Sequence, residues 1–178
     1  VDKKNVLVCS THTHTGGPSH GSSQSNNDVE LDAAYLDNLI KMSADGACLA
    51  YKKRENANVY YACGEVKGIS FVRNYVMKDG TIRTNPGRLN PDIVRPFSEP
   101  DYSLPVLFVE NEQGKLMGVL YDFACHQDCV DGTEYTGDYS SIVSKILKEK
   151  FGRVNYLIYG TKDHKLTYIL KFSFNCFL

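Results

Sequence analysis

The sequence has 178 residues with 20 Lys and Arg against 21 Asp and Glu, which gives a formal net charge of −1. Its 42% hydrophobic and 23% charged residues are typical of a globular domain and exclude a disordered or low-complexity chain. Because there is no basic excess to bind a phosphate backbone, we expect no nucleic-acid partner. The length fits one domain.

The start of the sequence does not indicate where the protein is located. No apolar stretch approaches the roughly 20 residues of a membrane-spanning helix. The chain begins at Val1 without a charged and apolar leader, which indicates a mature form or a piece of a longer protein. The six cysteines are scattered and do not have the spacing of a disulfide framework.

The first predicted elements are a strand, a loop and a helix. Residues 5–9 form a short apolar, β-branched run that predicts a buried strand. Residues 10–27 are too polar to pack and long enough to be a functional loop. Apolar residues then recur at helical spacing over 31–50, which predicts one long helix with Asp28 as its N-cap and a weak point at Gly46.

Strand patterns dominate the middle of the chain. Residues 59–66 have strand composition, and the proline-rich stretch 78–105 predicts an extended surface excursion. Two apolar runs, 104–109 and 116–123, flank a Gly-containing segment and predict an antiparallel hairpin.

The last regular elements are a helix and a strand. Apolar residues at helical spacing over 139–151, ended by Gly152, predict a second helix. Residues 154–159 predict one more strand. The expected fold class is therefore α/β (mixed α+β), a mixed sheet with an antiparallel hairpin flanked by two main helices.

Two histidines, His12 and His14, follow directly on the first predicted strand. In an extended segment such a pair places two imidazoles about 6–7 Å apart on one face. Catalytic zinc needs roughly three protein ligands and an open position, so a further ligand must come from elsewhere. His126 is the natural candidate, because it follows the carboxyl end of another predicted strand. If those strands are parallel neighbours, His12 and His126 meet at one rim of the sheet.

These residues also have interpretations other than a metal site. A surface His-x-His among Ser and Gly is often simply solvated. The pair also opens the binuclear hydrolase pattern His-x-His-x-Asp-His, but Gly16 and Gly17 stand where that pattern has Asp and His. The Cys-His-x-x-Cys run at residues 125–129 lacks a second ligand pair and is a weak signal for structural zinc.

Four segments carry a further pattern. Residues 5–18 contain Thr-His-Thr-His-Thr-Gly-Gly-Pro, and residues 64–75 contain Gly-Glu-Val and Phe-Val-Arg-Asn-Tyr. Residues 77–87 contain Lys-Asp-Gly and Thr-Asn-Pro-Gly, and residues 123–139 contain Phe-Ala-Cys-His and Thr-Gly-Asp-Tyr. In order and spacing, these segments resemble the motifs of the neutral/alkaline non-lysosomal ceramidases, and the resemblance covers about residues 5–161.

The resemblance implies a zinc-dependent amide hydrolase that cleaves N-acylsphingosine (ceramide) to sphingosine and a fatty acid. It implies that His12 and His126 are ligands of Zn²⁺ and that His14 contacts the substrate or the reacting oxygen. It also implies that Arg73 lies at the active site. Asp138 is expected to orient a liganding or catalytic group without binding the metal itself. Val72 stands where the family has Asn before the Arg.

The same resemblance implies the setting of the enzyme. We expect a ceramide-like lipid substrate drawn from a membrane surface, no obligate protein partner, and a secreted, cell-surface or periplasmic location.

The sequence departs from the family after residue 161. The family's remaining zinc ligands, a Glu and a Tyr, lie downstream of the matched segments, and residues 162–178 match nothing in it. We expect residues 1–161 to be part of a ceramidase-like amino-terminal catalytic domain and residues 162–178 to be a divergent, non-native tail. The alternative is a non-catalytic truncated remnant, or a metal-binding module without hydrolase activity.

Overall fold

The computed structural model describes residues 2–6, 8, 10–18 and 32–152 and the strand 155–159. The regular elements there are a 3-10 helix Lys3–Asn5, α1 (Ala33–Lys52), β1 (Ala57–Glu65), β2 (Asn74–Met77), β3 (Ile82–Thr84), β4 (Ile93–Pro96), β5 (Ser103–Asn111), β6 (Leu116–Asp122), α2 (Asp138–Phe151) and β7 (Asn155–Tyr159). The strands form a four-stranded sheet in the order β1-β5-β6-β7 and a three-stranded sheet in the order β3-β2-β4. This confirms the predicted mixed α/β class.

The four-stranded sheet contains the predicted hairpin. β5 and β6 are antiparallel, and Leu107 lies opposite Leu120. The turn between them is closed by Asn111, whose side-chain oxygen accepts from the backbone N–H groups of Gln113 and Lys115. Strand β7 pairs parallel to β6, so the sheet is mixed, as predicted.

The predicted first strand is wrong for the residues that the structure describes. Lys3–Asn5 is a 3-10 helix, and Val6 and Val8 are 56% and 88% exposed outside any strand. Leu7 and Cys9 lie outside the described residues. The parallel neighbour of β6 is β7, so the position expected for the first strand is occupied by a later segment. A strand without a pairing partner leaves its backbone groups to water, and local β propensity alone does not hold it.

The proline-rich stretch 78–105 is not only a surface excursion, as predicted, because β3 and β4 lie within it and pair with β2. The tight turn from β2 to β3 is favoured by Asp79, whose carboxylate accepts from the backbone N–H of Thr81, and by Gly80 at φ 80°. Pro96 ends the edge strand β4, a position where a residue without an N–H is tolerated.

Helix α1 is present as predicted, with a different start. Asp32 is its N-cap, and the Asp32 carboxylate accepts from the backbone N–H of Tyr35 at 2.9 Å. The predicted cap, Asp28, lies outside the described residues. The helix is continuous through Gly46, and none of its residues is buried. Among the described residues, no helix combines the length and the apolar character that a membrane crossing requires.

Helix α2 confirms the second predicted helix and ends at Gly152, which has φ 81°. Its first turn packs on the end of β6, where the rings of Tyr139 and Phe123 meet edge to face with centroids 6.3 Å apart. Phe123 and Tyr121 are among the buried apolar residues. This contact places the start of α2 beside the segment that follows β6.

Candidate metal centre

Three histidines converge just beyond the end of β6. The Nε2 atom of His14 lies 3.2 Å from Nε2 of His12 and 2.9 Å from Nε2 of His126. One nitrogen from each ring lies within 4.8 Å of the other two. Two imidazole ligands of one tetrahedral zinc, each about 2.0–2.1 Å from the ion, lie roughly 3.4 Å apart. The three side chains, called the histidine cluster below, therefore fit a zinc-sized cation.

The structure brings His12 and His126 to one place, as the sequence predicted, but by another route. Their rings stack with centroids 5.0 Å apart. His126 follows β6, as expected, whereas His12 lies in an irregular loop and not at the end of a strand. Contacts between two loops therefore bring His12 and His126 together, whereas the prediction relied on two neighbouring strands.

The amino-terminal loop is attached to the segment after β6 by hydrogen bonds. The backbone N–H of His14 donates to the carbonyl of Gln127 at 3.2 Å. The hydroxyls of Thr13 and Thr15 both donate to the carbonyl of Thr136, and the N–H of Thr136 donates to the carbonyl of Thr15. In the alternating Thr and His run, the threonines thus anchor the loop while the histidines join the cluster.

His12 adopts a left-handed backbone conformation, with φ 61°. This conformation costs a non-glycine residue roughly 1–2 kcal/mol. Residues held in such conformations concentrate at functional sites, where the surrounding contacts over-determine them. The strained residue therefore lies in the amino-terminal loop that also carries His14.

Asp138 holds the turn that follows His126. It is 1% exposed, and its carboxylate accepts from the N–H groups of Cys129 at 2.9 Å, Val130 at 3.0 Å and Tyr139 at 2.6 Å. Burial by itself raises the pKa of Asp138, but these backbone donors outweigh it and lower the pKa below its ordinary value. Asp138 thus braces the backbone that carries His126, and its role in orienting a ligand stays a prediction.

Tyr139 braces the other side of His126. Its hydroxyl donates to the carbonyl of Cys125 at 2.8 Å. Burial raises the pKa of the Tyr139 phenol, so the hydroxyl keeps its proton at neutral pH and remains a donor. Two adjacent residues of α2 therefore fix the backbone before and after His126.

We expect Tyr139→Phe to lower the free energy of unfolding by about 1 kcal/mol, because the Cys125 carbonyl loses its half-buried donor. Urea unfolding followed by circular dichroism measures this value. Tyr135→Phe is the matched control, since Tyr135 is 77% exposed. Equal stability of the two variants would show that the hydrogen bond contributes nothing.

Sequence reasoning missed Asp128. Its carboxylate oxygen Oδ1 lies 3.5 Å from Nδ1 of His14, on the far side of that ring from the histidine cluster. Its place two residues after His126 was the one available signal, and nothing local connected it with His14. Gln127, the residue between His126 and Asp128, is fully buried.

Arg73 lies directly before β2 and is half-buried, and its carbonyl accepts from the backbone N–H of Asn85. Val72, at the position where the resemblance expects Asn, is buried and apolar. The structure thus brings together His12, His14 and His126, while the place of Arg73 at an active site stays a prediction. His20 and His164 lie outside the described residues.

No family model matches the chain, and no curated protein sequence does. The structure is similar to that of neutral ceramidase from Pseudomonas aeruginosa, with a TM-score of 0.58 and 16% identity over 85% of this chain and 24% of that chain. It is also similar to a ceramidase complexed with C2, with a TM-score of 0.59 and 16% identity over 85% of this chain and 23% of that chain. The chain spans about a quarter of the length of these proteins. What it shares with the neutral ceramidases is the fold.

Proposed function

We propose that this chain is part of a zinc-dependent amide hydrolase that resembles neutral ceramidase and cleaves N-acylsphingosine to sphingosine and a fatty acid. The observation that carries the proposal is the histidine cluster at the end of β6, within a fold similar to that of the neutral ceramidases. The fold similarity supports the general class of enzyme, and the cluster supports a metal centre. In this proposal, residues 1–161 belong to the catalytic domain and residues 162–178 are a divergent tail.

The donor set suits zinc. Imidazole nitrogens are common zinc ligands, and the cluster offers one from each of three rings. Zinc held there would supply a nucleophile from water at neutral pH and polarise the carbonyl of the amide. His12 and His126 are the ligands that the resemblance implies.

The remaining proposed roles belong to side chains around this pair. In the role that the resemblance implies, His14 contacts the substrate or the reacting oxygen, and a neighbouring imidazole of this kind can pass a proton to the leaving amine. Arg73 lies at the active site in this proposal. Asp138 keeps His126 in place through the backbone of Cys129 and Val130. The proposed setting is a secreted, cell-surface or periplasmic enzyme that takes its lipid from a membrane surface.

A second candidate is a metal-binding module without hydrolase activity. The observation that favours it is that the chain shares the fold of the ceramidase structures at 16% identity, while the histidine cluster by itself can hold a metal ion. In this case the histidine cluster binds zinc but no amide is cleaved.

The release of fatty acid from a short-chain ceramide distinguishes the two candidates. Release of fatty acid by the 178-residue chain with zinc, lost after metal removal by a chelator, would contradict the non-catalytic candidate. Release only by a version extended past residue 161 would support a chain that carries part of the site. In the version that is active, the double variant His12→Ala and His126→Ala should be inactive with zinc, while Tyr135→Phe should leave the activity unchanged. Zinc binding without fatty-acid release, by the chain and by its extended version alike, would contradict the hydrolase and support the binding module.

A further inference from the structure

Two cysteine thiols in the turn after β6 approach the same atom. Sγ of Cys125 lies 3.8 Å and Sγ of Cys129 lies 3.7 Å from the carbonyl oxygen of His126. Each S–H group is a weak donor to this oxygen. Because both sulfur atoms contact one oxygen atom, they are no farther apart than about twice that distance. Residues 125–129, called the cysteine turn below, therefore bring two thiols close to each other.

The backbone at both ends of the cysteine turn is held by the first turn of α2. The hydroxyl of Tyr139 donates to the carbonyl of Cys125 at 2.8 Å, and the carboxylate of Asp138 accepts from the N–H of Cys129 at 2.9 Å. In the middle of the turn, Gln127 is fully buried. The folded chain thus fixes the backbone that carries the two thiols and keeps them near each other.

The two thiols differ in their access to solvent. Cys129 is exposed, whereas Cys125 is half-buried. Cysteines that respond to oxidants are accessible and often lie beside a second cysteine, which converts the first oxidation product into a disulfide. Cys129 has the exposure that the attacking thiol needs, and Cys125 has the position of the resolving thiol.

We propose that Cys125 and Cys129 form a redox modification site, a dithiol that a small-molecule disulfide oxidises to an intramolecular disulfide. The sulfur of Cys129 first attacks one sulfur of the small disulfide, whose S–S bond breaks, and one small thiol leaves. The sulfur of Cys125 then attacks the sulfur of Cys129 in this mixed disulfide, and the second small thiol leaves. The two cysteines lose two electrons and two protons, and the small disulfide gains them as it becomes two thiols.

This modification goes beyond the proposed hydrolase. The exchange uses neither a metal ion nor an amide, so it takes place whether or not the chain cleaves ceramide. The disulfide joins the residue before His126 to a residue shortly after it, and it thereby closes the cysteine turn with a covalent bond.

Mass spectrometry of the full chain tests the proposal. The reduced chain is equilibrated with oxidised and reduced glutathione in the presence of a chelator and is then quenched with N-ethylmaleimide. Trypsin cleaves after Lys115 and Lys145, so the peptide 116–145 contains Cys125, Cys129 and no other cysteine. We expect this peptide to lose two hydrogens and to carry no maleimide. The proposal is overturned if, at every glutathione ratio, both cysteines carry maleimide or each carries its own glutathione.

Single variants separate the two steps. In Cys125→Ser the reaction should stop after the first step, with one glutathione on Cys129. Cys129→Ser removes the exposed thiol and should lose the closed peptide. The matched controls are Cys48→Ser in α1 and Cys63→Ser in β1, which alter exposed thiols of other elements and should close the disulfide as the parent chain does. Loss of the closed peptide in either control would assign the disulfide to another thiol and overturn the proposal.

A comparison with the urea-unfolded parent chain requires no variant to fold. Because the unfolded chain must first order the cysteine turn, it should need at least about 10-fold more oxidised glutathione than the folded chain for half closure. Half closure of the unfolded chain at the same or a lower concentration would show that the fold does not bring the two thiols together, and it would overturn the proposal.

Discussion

Replacement of His126 by Ala is expected to lower zinc affinity by more than about 100-fold, beyond the upper end of what loss of an outer partner of a ligand costs. His126 is the member of the histidine cluster contributed by the segment after β6. Without it, His12 is the remaining zinc ligand of the proposed pair. A single imidazole leaves most of a tetrahedral site to water, so the ion is held weakly. Competition with a chromophoric chelator measures the change.

His164→Ala is the matched control, because His164 lies outside the segments that resemble the ceramidases and should leave the affinity unchanged. If the double variant His12→Ala and His126→Ala still bound one zinc tightly, the metal would sit elsewhere and the histidine cluster would be the wrong site.

Asp138→Ala is expected to lower the free energy of unfolding by about 3 kcal/mol or more, because hydrogen bonds to a charged group contribute roughly 1.5–3 kcal/mol each and are not additive. Three backbone donors lose their acceptor together. Asp138 also has φ 54°, a left-handed conformation that Ala tolerates less well than Asp does. Urea unfolding of the variant and the parent chain gives the difference.

Asp138→Asn separates charge from geometry. Asn tolerates the same backbone conformation and keeps one oxygen, so it should be less destabilising than Ala. A variant as stable as the parent chain would show that the carboxylate contributes little to the turn after His126.

The lowered pKa of Asp138 predicts how the stability difference between the parent chain and Asp138→Asn depends on pH. A carboxyl whose pKa is lower in the folded state stabilises the fold above its ordinary pKa, and this contribution is lost as the pH falls through the folded-state value. The stability difference between the parent chain and Asp138→Asn should therefore be constant near neutral pH and shrink below about pH 4. A difference that does not change down to pH 2 would contradict the role of the charge.

Local patterns in the sequence determined several elements. The hairpin of β5 and β6 follows from two apolar runs around a Gly-containing turn, and α2 follows from apolar spacing ended by Gly152. These signals lie within one element or between neighbours along the chain, so no distant contact is needed to interpret them. The convergence of His12 and His126 was also predicted, with the help of the resemblance to the ceramidases.

The tertiary structure alone decided which strands distant along the chain became neighbours. Residues 5–9 had the composition of a strand, yet the place beside β6 went to β7, because pairing depends on what the whole chain can bring to that edge. The contact of Asp128 with His14 joins residues more than a hundred positions apart and has no periodic signal in the sequence. A strand partner and a carboxylate behind a histidine both depend on contacts between distant segments, and those contacts exist only once the chain has folded.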